Sequence, residues 1–485
     1  MARFLVLGAG IAGQTAALHA RTRLSPHHEV VVVSPNSKWN WIPSNIWVGI
    51  GFMKPEEVTF PLAPVYHKTG IIFHQAKAVS IHPDGNLDSS LPYVTIEYTD
   101  EKKRGVVEKV TYDYLLNATG PKLNFGATPG LGPEANSQSV CTYGHAAQAS
   151  RALDELIEQM KKGDKKKLLI GTGHGTCTCQ GAAFEYAFNV DYKLRQMKVR
   201  DKAEIIWISN EYELGDFGVG GMHLRRGGYI THSKVFTESL YTERGIKWIT
   251  RAHTREVGQH EVFYETLDGD EKTVTCDFAM LLPPFSGVGI QSFNREGAEI
   301  TSTLFAPSGF MLVDADYTKK NYDEWAPSDW PKLYQNPTYK NIFAAGIAFA
   351  PPHPISKPMQ SKKGTPIFPT PPRTGMPTGV MAREIAYNIT DMMTGKADKP
   401  TRQASMAKMG AACIASAGAN FLNGTAATIT MYPIIPDYET YPDTGRNAKY
   451  TTGEIGLAGH WIKYLLHHAF IYKAKANPLW QVVPE

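Results

Sequence analysis

At 485 residues the chain exceeds what one hydrophobic core organises, so two or three domains are expected. Hydrophobic residues at 42% and charged residues at 20% mark an ordinary globular protein, and a dispersed net charge of +4 argues against a nucleic-acid partner. Five irregularly spaced cysteines argue against a secreted disulfide framework and leave room for reactive thiols.

The chain opens as strand, turn and helix. In "RFLVLGAGIAGQTAALHA" an apolar run meets Gly8, Gly10 and Gly13 at G-x-G-x-x-G spacing and continues into an alanine-rich helix. The first glycine permits the tight turn, the second lets backbone amides approach a pyrophosphate, and the third lets helix pack on strand. Gly8, Ala9, Gly10, Ile11, Ala12 and Gly13 are therefore expected to hold a dinucleotide, with its phosphates on the helix N-terminus. A second strand, "HEVVVVS", ends where such a turn ordinarily offers an acidic side chain to a ribose; here Ser34, Pro35 and Asn36 offer a hydroxyl and an amide. This beginning leaves no room for a cleavable leader, and no apolar run of about 18 residues follows, so a cytoplasmic protein, at most resting on a membrane, is expected.

Two later segments read as strands of the same sheet. "YDYLLNATGPKLNF" closes on Ala118, Thr119 and Gly120, and "NIFAAGIAFAPP" ends at Gly346 and Ile347. Distant segments of this kind complete the FAD domain in flavoprotein reductases built on two dinucleotide folds, although those usually place an aspartate where Ile347 stands. Between them, "KKKLLIGTGHGTCTCQGAAFEYAF" repeats the strand-turn-helix pattern, and Glu211 after the strand "AEIIWIS" is placed to take a nicotinamide nucleotide's ribose. Thr176 replaces the last glycine of that turn and obstructs close backbone approach, so the unit reads as a fold kept without NADH. Cys177 and Cys179 follow, with Cys179 at the expected helix start, where backbone dipoles favour a thiolate. Beyond residue 395 a proline-rich tract leads to a last helix, with Ala458, Trp461, Ile462, Leu465, Leu466, Ala469 and Phe470 on one stripe beside Lys463, His467, His468, Lys473 and Lys475. Such a helix packs in a core or dimer interface, or lies in a membrane surface with its lysines toward anionic lipid.

Taken together, these segments resemble sulfide:quinone oxidoreductases, relatives of flavocytochrome c sulfide dehydrogenase, along nearly the whole chain. "SVCTYGHA" carries Cys141 and His145, and "CQGAAFEYA" carries Cys179 and Glu185. "ELGDFGVGG" and "DFAMLLPPFSGV" also match, and "RTGMPTGVMAREIAYNI" puts Arg373 before Thr374 where the family has lysine. The resemblance implies an α/β fold of tandem Rossmann-like domains: an FAD domain from 1–150 and 291–395, a second unit over 151–290, and a membrane-associating region over 396–485. It implies FAD held by the glycine turn, Ser34 to Asn36, Ala78, Val79, Ala118 to Gly120, Gly346, Ile347, Arg373 and Thr374, with no metal. Sulfide would be the donor and membrane quinone the acceptor, in a homo-oligomer attached peripherally to the cytoplasmic face through the last helix. Cys179 would carry sulfur as a persulfide, with His145 moving its proton and Glu185 nearby.

Two departures from the family pattern stand out. The usual second redox cysteine falls within 346–376, and this chain has none there, which leaves Cys177 or Cys141 as partner; the resemblance also allows Cys141 to tether the flavin. Asp216 stands where relatives often carry a proton-handling histidine, and Cys276 and Cys413, outside the matched motifs, read as packing residues. The alternatives are a type II NADH:quinone reductase and a noncatalytic flavoprotein subunit that relays electrons.

Overall fold

The structure is a computed structural model that describes residues 1–372, 375–418 and 420–485. Arg373 and Thr374 lie outside the described residues.

The first sheet assembles from distant parts of the chain in the order Ile342–Ala344, Tyr114–Asn117, Arg3–Leu7, Glu29–Ser34 and Ile72–His82, all parallel. Runs such as "RFLVL" and "EVVVVS" are buried almost throughout, as strands covered on both faces must be. Tyr93–Tyr98 and Val107–Thr111 extend the edge antiparallel. Helix Ile11–Arg23 packs against this sheet and against helix Gly375–Met393. The glycine turn makes the first contact possible: a Cβ on Gly13 would sit 1.9 Å from the Gly8 carbonyl oxygen, and one on Gly8 would sit 2.2 Å from that of Ala118.

A second sheet of four parallel strands, ordered Ile246–Ile249, Ala203–Ile208, Lys166–Thr172 and Phe278–Leu282, forms the second dinucleotide-type fold. The sequence pattern thus leads to the observed α/β class and tandem arrangement. A third sheet joins the hairpin His223–Arg226 and Tyr229–His232 to Thr452–Gly456, Gly424–Met431 and Ala411–Gly418. The C-terminal region therefore shares a sheet with the middle of the chain.

The last helix runs over Leu457–Ala474, which contains the whole stripe, and follows directly on the strand Thr452–Gly456. Its polar side faces inward: His460, Lys463, His467 and Lys473 are buried, whereas Trp461, Ile462 and Leu465 are exposed. Lys463 is ion-paired with Glu185, and Lys473 Nζ lies 2.6 Å from Glu485. Glu485 also pairs with His19 on the first helix at 2.7 Å, and Gln14 donates to the Ala474 carbonyl at 2.7 Å, so the C-terminus is pinned to the first domain. The expectation that these lysines face anionic lipid is corrected: desolvated cations need buried partners, and two of them have found carboxylates.

No helix among the described residues is long and apolar enough to cross a membrane. Gly13→Ala is expected to cost at least about 2 kcal/mol of stability, through backbone overlap. Gly10→Ala, whose methyl would meet nothing within 4 Å, should leave the flavin-free chain as stable as the parent. Denaturant unfolding of both variants checks the contrast, and equal destabilisation would contradict it.

Candidate active site

The second glycine turn is closed by the protein itself. Residues 366–371 run across it: Phe368 N–H donates to the Gly175 carbonyl at 2.9 Å and Thr370 N–H to that of Cys177 at 3.1 Å. Thr178 Oγ1 donates to the Pro371 carbonyl at 2.9 Å. Buried Asn210 joins turn and strap, its amide nitrogen lying 3.0 Å from Gly175 O, 3.2 Å from Cys177 O and 3.1 Å from Phe368 O. A Cβ on Gly175 would come within 2.3 Å of the Pro366 carbonyl, so backbone occupies the space where a pyrophosphate would approach. Glu211 is buried and engaged, accepting from Ser209 Oγ at 2.7 Å and Phe217 N–H at 2.9 Å, and offers nothing to a ribose. This geometry counts against NADH as reductant, contrary to the alternative reading of the sequence.

The turn ends at Cys179, the N-cap of helix Gln180–Gln196, held at φ 63° and ψ 36°. A left-handed conformation is costly for a residue with a Cβ and persists only where its surroundings enforce it. Here the strap on one side and the helix on the other do so. Cys177, two residues earlier, is fully buried and donates from Sγ to the Leu282 carbonyl at 3.0 Å; burial pushes its thiol far up. Cys141, on the loop before helix Tyr143–Lys161, is half-buried, and burial pushes its thiol up to about 11.

Cys413 was not singled out by its spacing, yet the structure brings it here. Its strand, Ala411–Gly418, packs on helix Gln180–Gln196, and its Sγ lies 3.0 Å from where a Cβ on Gly181 would be. Cys141, Cys177 and Cys413 all lie within electrostatic reach of Cys179. Cys276, by contrast, packs in a separate core beneath the second sheet, consistent with the packing role read for it. Glu185 is buried beside Cys413 rather than exposed to solvent, accepting from Ser416 N–H at 3.2 Å as well as from Lys463; burial raises its carboxyl despite that cation. His145 lies in the first turn of helix Tyr143–Lys161, edge-on to Phe125 at 5.8 Å, and burial lowers its basicity.

Two cavities flank the strap. The smaller, of about 350 Å³, is lined by Thr178, Phe285, Phe310, Ile347, Pro352 and Phe368, an apolar chamber next to the turn that carries Cys179. The larger, of about 660 Å³, reaches Asp216, whose carboxylate is buried, accepts from Ser356 Oγ, and is held protonated longer than usual by that burial.

The first glycine turn fits a dinucleotide. Gly10 caps the first helix without any side-chain hydrogen bond, no acidic residue occupies its first turn, and the space beside Gly10 is open. Gly120, at φ 71°, is likewise open, while Ala12 and Gly346 pack together behind the turn. Ser34 is buried with its hydroxyl toward Asn36 N–H at 3.4 Å, and Pro35 and Asn36 are exposed at the rim. Thr119 is fixed through N–H and Oγ1 to Asn117, and Val79 lies exposed at a bulge after Ala78.

No protein-family profile matches the chain. A sulfide-quinone reductase from Aquifex aeolicus is 31% identical over 471 residues, 97% of this chain and 90% of that protein. The chain belongs to the sulfide-quinone reductase family. The solved structure of the Aquifex aeolicus sulfide:quinone oxidoreductase superposes with a TM-score of 0.76 at 29% identity, covering 99% of this chain and 94% of that one. NDH2 from Plasmodium falciparum, solved with NADH, gives a TM-score of 0.58 at 13% identity over 100% of this chain and 95% of that one, which shows a shared fold. As a family member the chain is an FAD-dependent oxidoreductase with quinone as its electron acceptor, in agreement with the open first turn.

Burial, with Asp216 second, lifts the Glu211 carboxyl from 4.5 to about 7. An acid raised in the folded state stabilises the fold fully below its unfolded value and loses that contribution as pH rises through its folded value. Glu211→Gln should therefore flatten the decline in Tm between about pH 5 and pH 8. Thermal melts across that range test it, and an unchanged slope would contradict it.

Proposed function

We propose that the chain oxidises sulfide at Cys179, holding the sulfur as a persulfide, and delivers the electron pair to a quinone at the membrane surface. The observation that carries this reading is the position of Cys179: a strained helix N-cap, beside an apolar chamber, on a nucleotide fold whose own nucleotide site is closed. FAD, when bound at the first turn, supplies the two-electron relay between thiol and quinone. The protein groups do the rest. Backbone dipoles at the helix start favour a thiolate on Cys179, and the strap holds the two residues before it through the Cys177 carbonyl and Thr178 Oγ1. The chamber walls, mostly proline and aromatic, suit uncharged sulfur chains better than a nicotinamide. Cys177 does not suit the partner role, since its thiol is spent on the Leu282 carbonyl deep in the core.

The membrane side follows from the inverted last helix. Trp461 stacks on Phe421 at 5.3 Å, and with Leu422 and Leu465, 77% and 67% exposed, they form an outward apolar patch. We assign this patch to the membrane interface, binding through buried apolar area with little help from charge. Leu422→Glu with Leu465→Glu should release the protein from vesicles while flavin absorbance persists. Binding of the parent should differ little between neutral and anionic vesicles; strong preference for anionic lipid would contradict the assignment.

Cys179→Ser tests the chemistry. It keeps the size of the N-cap side chain but removes the nucleophile and any persulfide. Sulfide-dependent quinone reduction is expected to fall at least about a hundredfold, on the order of 3 kcal/mol, with flavin still bound. Near-normal turnover would overturn the thiol mechanism.

A further inference from the structure

We infer that Cys413 is the second redox thiol, forming a reversible disulfide with Cys179. The inference rests on Cys179 as the residue that carries the sulfur. Three thiols lie within electrostatic reach of Cys179, and their surroundings differ. Cys177 is bound to a buried carbonyl. Cys141 belongs to the loop that leads from the first domain, with Ser139 as its polar neighbour. Cys413 lies over the first turn of the helix that Cys179 caps, and Gly181 is what admits it: any side chain at 181 would press on its sulfur. Glycine inside a helix is otherwise unfavourable, so the close approach gives Gly181 a reason to be there.

Burial and the Glu185 carboxylate push the Cys413 thiol up to about 11, and the Lys463 ammonium works against them. The buried Lys463 ammonium, paired with Glu185 and 3.4 Å from the Ile414 carbonyl, places positive charge and a proton source beside its strand. A thiolate whose charge is stabilised departs faster in thiol–disulfide exchange.

The step balances as follows. Hydrosulfide attacks Cys179 Sγ; the Cys179–Cys413 bond breaks, a new S–S bond makes the Cys179 persulfide, and Cys413 leaves as thiolate. A second hydrosulfide takes the outer sulfur as HSSH and leaves Cys179 thiolate. Re-forming the disulfide releases two electrons, which quinone accepts with two protons to become the quinol.

The test is peptide mapping of the flavin-loaded protein. After anaerobic oxidation with a short-chain quinone, alkylation and non-reducing digestion, mass spectrometry should find a Cys179–Cys413 cross-linked peptide. After sulfide, Cys179 should carry one extra sulfur and Cys413 should be alkylated as a thiol. A cross-link from Cys179 to Cys141 or Cys177, or Cys413 alkylated in the quinone-oxidised protein, overturns the inference. A persulfide on Cys179 without that cross-link sinks this inference alone, whereas no modification of Cys179 sinks the persulfide assignment too. Cys413→Ser should abolish the cross-link and lower sulfide-dependent quinone reduction at least about tenfold, with Cys276→Ser unchanged in both. Gly181→Ala should slow cross-link formation through the displaced sulfur, and unchanged formation would count against the geometry. Should Cys413→Ser fail to fold, mapping of the parent protein decides the matter.

Discussion

Everything at the active site depends on one amide. The Asn210 side chain is buried where the second glycine turn, the start of helix Gln180–Gln196 and the strap 366–371 meet; its amide nitrogen lies within hydrogen-bond distance of three backbone carbonyls, and its oxygen accepts from Gln180 Nε2 at 2.9 Å. The Gly175 and Cys177 carbonyls also accept backbone N–H bonds from the strap, so Asn210 adds a second donor to each and ties the Phe368 carbonyl to the same point. Sealing the turn closes the nucleotide site, and the chain leaves it through Cys179 in the left-handed conformation at the start of helix Gln180–Gln196. The exchange of hydride chemistry for sulfur chemistry is thus a matter of where backbone hydrogen bonds go.

A second constraint ties the helix that Cys179 caps to the last helix. The Lys463–Glu185 pair links the two in a dry setting, where removal of one partner alone would strand a charge at a cost of about 3–5 kcal/mol. His460, bonded to Ser416 Oγ and to the Asn420 carbonyl, continues that polar seam to the strand that carries Cys413. With these polar groups turned inward, the helix leaves Trp461, Ile462 and Leu465 for whatever lies outside, while Phe470 stacks on buried Trp41. One element therefore serves as core on its charged face and as surface on its apolar face.

Much of this was legible in the sequence, for local reasons. Gly8, Gly10 and Gly13 announce a nucleotide turn because their spacing answers a steric demand that the structure repeats, and Thr176 announced a failed one. Cys179 was legible because the same turn grammar places it at a helix start. The periodicity of the last helix gave its two faces correctly but not which one points inward, since a stripe carries no information about partners such as Glu185, 278 residues away. Cys413 escaped for the same reason: it sits on a strand brought to Gly181 by a sheet that joins residues 223–232 to 411–456. The strap left no signal, because its work is done by main-chain groups that every sequence possesses.

The central claim is that electrons enter through a thiol because the nucleotide route is closed. It is tested most directly by an anaerobic titration of the purified yellow protein, with sulfide in one cuvette and NADH in another, while the flavin absorbance is followed. Bleaching by stoichiometric sulfide and none by excess NADH is the predicted result; rapid bleaching by NADH, with sulfide inert, would contradict the account.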